Sequence, residues 1–131
     1  MLLWLMRAVG LAKPNLVGNL EPTVTILISA YNEVGVITEK ISNTLSLDYP
    51  IDKLEIIVIS DCSDDGTDEA VQAFNRPNVN LLRMPDRGGK TLGLNAAVQV
   101  SLGEILVFSD ANAMYEQQAL RNITRNFFDP K

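Results

Sequence analysis

Two stretches of this chain end alike: residues 57–61 read IVISD and residues 106–110 read LVFSD. Each is a short, uncharged run rich in β-branched residues that stops on an aspartate, so Asp61 and Asp110 stand at the ends of two apolar segments. One such aspartate alone serves as a helix cap. Two on a common rim point further. Carboxylates hold phosphate only through something positive, and a hard divalent cation that keeps several waters bridges one or two carboxylates to a diphosphate. A carboxylate also accepts the imide N–H of a uracil ring, a use of Asp61 that requires no metal. A third stretch, DRGGKT at residues 86–91, carries Arg87 and Lys90 beside a predicted helix start, where positive charge and free backbone N–H groups meet an anion. Acids and bases of these types suggest a nucleoside diphosphate held with a metal.

These residues act together only if the segments that carry them share one edge. Residues 23–29 (TVTILIS), 55–60 (EIIVIS) and 104–109 (EILVFS) are predicted strands, apolar enough to be buried on both faces, and residues 79–84 (VNLLRM) a shorter one. Between the first two, Val34, Ile37, Ile41 and Leu45 recur at helical spacing, which sets Glu39, Lys40 and Asn43 off the apolar face. Thr67-Asp68-Glu69 starts a second helix, its acids complementing the N-terminal dipole. Residues 90–101 form a third, with Leu94, Ala97 and Val98 inward, and Ala119, Leu120, Ile123 and Phe127 mark a fourth. The alternation predicts an α/β fold, a doubly wound, mostly parallel sheet in three α/β/α layers. Right-handed crossovers give it the strand order 3-2-1-4. Ligands then bind beyond the carboxyl ends of the strands, where the winding reverses between the first and the fourth.

The chain has 131 residues, 47% hydrophobic and 21% charged, which fits one domain. A net charge of −5 with no clustered Lys or Arg excludes a non-specific nucleic-acid binder. The single cysteine, Cys62, makes an intrachain disulfide impossible and agrees with a reducing, cytoplasmic setting. The absence of histidine removes the commonest zinc ligand and general base. Residues 1–21 are set apart from residues 22–131 as an apolar N-terminal segment, interrupted by Arg7 and Lys13. That segment falls short of the roughly 20 apolar residues of a membrane span and lacks the features of a secretory signal. It is expected to be a helix, either packed on the domain or lying at the cytoplasmic face of a membrane with Trp4 near the headgroups.

DRGGKT ends like a P-loop, but that motif requires a glycine five residues before Gly89, where Met84 stands. Pro85 also removes a backbone donor at the start of the loop. No GxGxxG follows the first strand, so a dinucleotide-binding enzyme loses its main signature. A receiver-type signalling domain needs paired acids directly after its first strand and a fifth strand carrying a lysine. Here the first strand runs into AYNE.

Taken in order, TVTILISAYNE, IIVISDCSDDGT, RGGKTLGLNAA and ILVFSDANAMY resemble the N-terminal, nucleotide-sugar-binding portion of family 2 glycosyltransferases, inverting enzymes of the GT-A fold. The resemblance runs through residues 22–128. It implies that Ala30, Tyr31 and Glu33 line the nucleoside pocket, that Asp61 contacts the uracil, and that Lys90 and Asn95 lie near the nucleotide. Ser60 and Cys62 replace the usual residues on either side of Asp61. Asp110 matches the first acid of the Asp-x-Asp motif that binds the donor's ribose and a divalent metal, Mg or Mn. Ala111 follows it, and Asn112 replaces the second acid with a neutral amide. The donor implied is a UDP-sugar, and the acceptor a saccharide or lipid-linked molecule of polysaccharide or glycoconjugate synthesis. The family's catalytic base belongs to a later, acceptor-side motif with no counterpart before Lys131. The expectation is a donor-binding portion that holds a nucleotide sugar without transferring it alone. The alternative is a non-catalytic nucleotide-binding or assembly role.

Overall fold

A computed structural model describes residues 3–6 and 21–128, with side chains placed for residues 21–125. Among the described residues the apolar runs form one five-stranded sheet from β1 (Leu3–Met6), β2 (Val24–Ala30), β3 (Leu54–Ser60), β4 (Val79–Arg83) and β5 (Ile105–Asp110), in the order β1-β5-β2-β3-β4. The helices are α1 (Ile37–Leu45), α2 (Thr67–Gln72), α3 (Lys90–Val100) and α4 (Ala119–Phe128). The parallel part, β4-β3-β2-β5, is the predicted 3-2-1-4 order. Its register pairs Ala30 with Ser60, Ser60 with Arg83 and Ser29 with Asp110. The carboxyl ends of β2, β3 and β5 therefore form one rim, and the loops carrying the candidate acids leave from it.

Alternate residues of each strand face opposite sides, so the sheet needs cover on both. Val24, Ile26, Ile28, Ile56, Val58 and Val107 pack against α1, α2 and α4 through Ile37, Ile41, Val71, Leu120 and Ile123. On the other side Leu27, Ile57 and Ile59 meet Ala97, with Leu94, Val98 and Phe108 around them. Burying an Ile or Leu side chain of this kind stabilises by about 1.5–3 kcal/mol. That gain holds the rim rigid.

At the opposite rim the sheet is tied to the turn after α3. The Gly103 N–H donates to Thr25 Oγ1 at 2.8 Å, and the Glu55 carboxylate accepts from Thr25 Oγ1 at 2.7 Å and from the Leu102 N–H at 2.9 Å. A Cβ on residue 103 would stand 2.4 Å from the Thr25 nitrogen, backbone that β2 cannot move. Gly103→Ala is expected to cost about 2–3 kcal/mol, seen as a fall of about 10 °C in the thermal unfolding midpoint. An unchanged midpoint would mean that this turn moves freely.

Three expectations need correction. The helix foreseen over the N-terminal segment is not what its described part forms, because Leu3–Met6 is a strand running antiparallel to β5, with Trp4 opposite Val107. The rest of that segment lies outside the described residues. A short apolar run fits strand or helix equally by pattern, and the open edge of β5 offers unpaired N–H and C=O groups that favour a strand. Val34, assigned to the apolar face of the first helix, precedes α1 and is 45% exposed. Lys40, assigned away from that face, is fully buried, and the inward stripe of α1 is Ile37, Lys40, Ile41 and Thr44.

Candidate functional site

A cleft of about 250 Å³ opens at the carboxyl rim, lined chiefly by Ser29, Ala30, Tyr31, Asp61, Arg87 and Lys90. Two glycines shape it. Gly89, immediately before α3, has φ +88°, a conformation that L side chains rarely adopt, and this lets the loop turn sharply into the helix. A Cβ on Gly93 would meet Ile59 Cγ2 at 2.7 Å, so a bare backbone here brings the first turn of α3 down onto β3. A larger cleft of about 340 Å³ lies at the opposite rim around Ile51, Leu54 and Leu102, and none of the groups discussed below lines it.

The charges in the rim cleft are closed on one another. Asp61 accepts from the Gly88 N–H at 3.0 Å and from Arg87 Nε at 3.0 Å. The Gly88 bond, aided by Arg87 and opposed by partial desolvation, holds the Asp61 carboxyl below its ordinary range. The Arg87 guanidinium also lies 3.5 Å from the centroid of the Tyr31 ring, and its bond to Asp61 raises its own pKa. Lys90 Nζ reaches Asp110 Oδ1 at 2.6 Å. With side chains 56% and 43% exposed, the Lys90–Asp110 pair is well solvated and weak, so a ligand can open it. The Ser29 hydroxyl, on the cleft wall, is buried with no hydrogen-bond partner among the described residues. The cleft thus offers an acceptor, two cations, an aromatic face and an unmet hydroxyl.

Asp65, near the cleft, is structural. Asp65 accepts from the Thr67 N–H and hydroxyl and from the Val34 N–H, and these bonds, Thr67's foremost, lower its pKa. Asn32 accepts from the Asp64 N–H at 2.8 Å and donates its own N–H to Ser63 Oγ at 3.0 Å. The Glu33 N–H donates to Thr67 Oγ1 at 2.9 Å. These bonds fasten the loop after β2 to the loop after β3 and hold the mouth of the cleft.

Of the residues singled out from the sequence, Ala30, Tyr31, Asp61 and Lys90 line the cleft, and Asp110 joins them through Lys90. Ala111 is buried in the core beneath the loop, and Asn112 is exposed just beyond it. Glu33 is half-buried outside the cleft lining, and Asn95 is exposed on α3 without lining it. The sequence pointed to Arg87 beside Lys90 as positive charge for an anion, and the structure turns it onto Asp61 and the Tyr31 ring. The Gly88 N–H that bonds Asp61 and the buried Ser29 hydroxyl were not foreseen, and no signal in the sequence marked Ser29.

Among the described residues no group of three or more His, Cys, Asp or Glu side chains could hold a metal ion. Asp110 supplies one carboxylate and Asn112 one amide carbonyl. That set fits a hard divalent ion completed by diphosphate oxygens and water, and does not fit a site that binds the metal by itself.

The family model described as glycosyl transferase family 2 matches residues 25–131. The probable glycosyltransferase YdaM of Bacillus subtilis is 35% identical over 104 residues, which is 76% of this chain and 25% of YdaM. A poly-beta-1,6-N-acetyl-D-glucosamine synthase of Staphylococcus aureus is 33% identical over 110 residues, 82% of this chain and 26% of the synthase. In structure, the mannosyltransferase PcManGT of Pyrobaculum calidifontis, solved with GDP-Man and Mn2+, aligns with a TM-score of 0.75 at 38% identity. The alignment covers 81% of this chain and 32% of PcManGT. The chain spans about a quarter to a third of the length of these proteins.

Proposed function

Because the chain belongs to glycosyl transferase family 2, we propose that its rim cleft binds the donor of a nucleotide-sugar transferase, and that the donor is a UDP-sugar. The observation that carries this reading is the convergence of Asp61, Tyr31, Arg87 and Lys90 at the end of the sheet, with Asp110 tied to Lys90. Asp61 accepts the imide N–H of the base. The Tyr31 face takes the ring where the Arg87 guanidinium now stacks. Arg87 and Lys90, drawn off their carboxylates, meet the diphosphate, and Asp110 is left, with Asn112, for a divalent ion. Bound with the diphosphate, Mg or Mn would supply charge neutralisation of the departing group.

In this reading the 131 residues bind a donor and do not transfer it alone. On this reading Asp61 and Asp110 are both taken up by the donor and its cation, so neither serves as the base that deprotonates an acceptor hydroxyl. The acceptor is a saccharide or lipid-linked molecule, and the similarity to a polysaccharide synthase supports that class. Cys62 is a free thiol, in keeping with a cytoplasmic setting, inside or at the membrane face. No helix among the described residues is long and apolar enough to cross a membrane.

A second reading concerns the base. PcManGT was solved with GDP-Man, and a carboxylate at Asp61 has the acceptor oxygens to take the N1–H and amino group of guanine in place of a uracil imide. Titration with GDP beside UDP decides between them.

Lys90→Ala tests the phosphate role. We expect about tenfold weaker UDP binding in Mn2+, the loss of one charge-assisted contact. Calorimetry showing unchanged affinity would reduce the loop to a solvated turn.

A further inference from the structure

The cleft leaves one buried charge unused. Lys40, on α1, is 0% exposed between Ile37, Ile41 and Thr44. Its ammonium donates to the Ala113 carbonyl and lies 3.8 Å from the centroid of the Tyr115 ring. Burial pushes its pKa down to about 8, and the negative charge of Asp110 acts against that fall. Burying an ammonium is expensive, and an apolar side chain of the same length would fill the space without the penalty. A cost of this kind calls for a use.

The contacts identify one. One turn further along α1, Asn43 Nδ2 donates to the Tyr115 carbonyl at 3.0 Å while its Oδ1 accepts from the Tyr115 N–H at 2.8 Å. Two polar side chains of α1 therefore grip both ends of residues 113–115, more than seventy positions away in sequence. This short segment directly follows Asp110-Ala111-Asn112, and its Ala113 N–H bonds back to the Asp110 carbonyl at 3.1 Å. On the solvent side Asp110 pairs with the exposed Lys90. When a diphosphate draws Lys90 away, the ties from Lys40 and Asn43 are what hold this loop in place.

We propose that Lys40 is a positioning residue: it anchors the loop after β5 so that Asp110 and Asn112 face the diphosphate and its cation. The proposal rests on the donor-site reading above. It separates two parts of that site, because Lys40 braces the β5 loop and touches neither Tyr31 nor Asp61.

The test compares Lys40→Met with the wild-type chain in three measurements: UDP affinity in Mn2+, uridine affinity, and the thermal midpoint. The expected result is about tenfold weaker UDP binding in Mn2+, uridine binding within twofold of wild type, and a midpoint that is unchanged or raised, because a buried charge has gone. Undiminished UDP binding in Mn2+ overturns the proposal. So does a parallel loss of UDP, uridine and thermal stability, which would make Lys40 only a part of the core. Should Lys40→Met fail to fold, Asn43→Ala cuts the other tie to the loop. Selective loss of UDP binding in Mn2+ then supports the proposal, and uniform loss or none overturns it. If the wild-type chain binds neither UDP nor uridine, the donor-site reading falls and takes this one with it. Failure of Lys40→Met to differ from a binding wild type removes this inference alone.

Discussion

Asp110→Ala is expected to weaken UDP binding in Mn2+ by about 100-fold, while binding in EDTA stays equal or tightens by up to about threefold. The two signs have one cause. In the proposed site Asp110 supplies the one carboxylate, beside the neutral Asn112, so its removal would leave a divalent ion with neutral ligands and the diphosphate alone. Without metal, the same carboxylate competes with the diphosphate for Lys90, which it holds at 2.6 Å. Removing it frees that lysine and raises the charge of the cleft by one. Isothermal titration in the two buffers measures both effects. A uniform loss in Mn2+ and EDTA would mean that Asp110 contacts the ligand without any metal.

Asp61→Ala is expected to lower uridine and UDP affinity alike by about 30-fold, with or without Mn2+, because it removes a charged acceptor from the base. Part of that loss is offset by the release of Arg87, which Asp61 now holds at 3.0 Å. The contact also has a pH signature. The Gly88 N–H, then Arg87, hold the Asp61 carboxyl below its ordinary value of 3.8, so it stays ionised as the pH falls to that value. Uridine affinity should therefore be flat from pH 7 to about 4.5 and decline only below it. A decline centred near pH 6 would assign the contact to another group. Binding of UDP by Asp61→Ala at full strength would place the base elsewhere.

The sheet was legible because its strands are short, largely apolar runs separated by helical spacing, and a right-handed crossover leaves little choice of order. β1 was not legible. Leu3–Met6 gains its partner from β5, a hundred positions away, and nothing local in LWLM distinguishes an edge strand from a helical turn. Residue type also misled at α1, where spacing alone would have put residue 40 inward beside Ile37, Ile41 and Thr44. A lysine is sent to solvent by habit, and its partners, the Ala113 carbonyl and the Tyr115 ring, are visible only once the chain is folded.

The candidate site shows the same division. Asp61, Lys90 and Asp110 stood out because acids and a base at strand ends suit a diphosphate, and the fold brings them to one rim. The cross-pairing was hidden, since neither Arg87 with Asp61 nor Lys90 with Asp110 follows from spacing along the chain. Asn95 matched by its motif, yet it sits exposed on α3 and outside the cleft lining. Asp65, four residues past Asp61, has its carboxylate engaged with Thr67 and Val34.

The central claim is that this cleft holds a UDP-type donor jointly with a divalent ion. Titrating the wild-type chain with UDP in Mn2+ and again in EDTA, with GDP as the competing base, tests it most directly. The account predicts saturable binding at a single site, tighter in Mn2+, and weaker for GDP than for UDP. Absence of UDP binding in both buffers would contradict it.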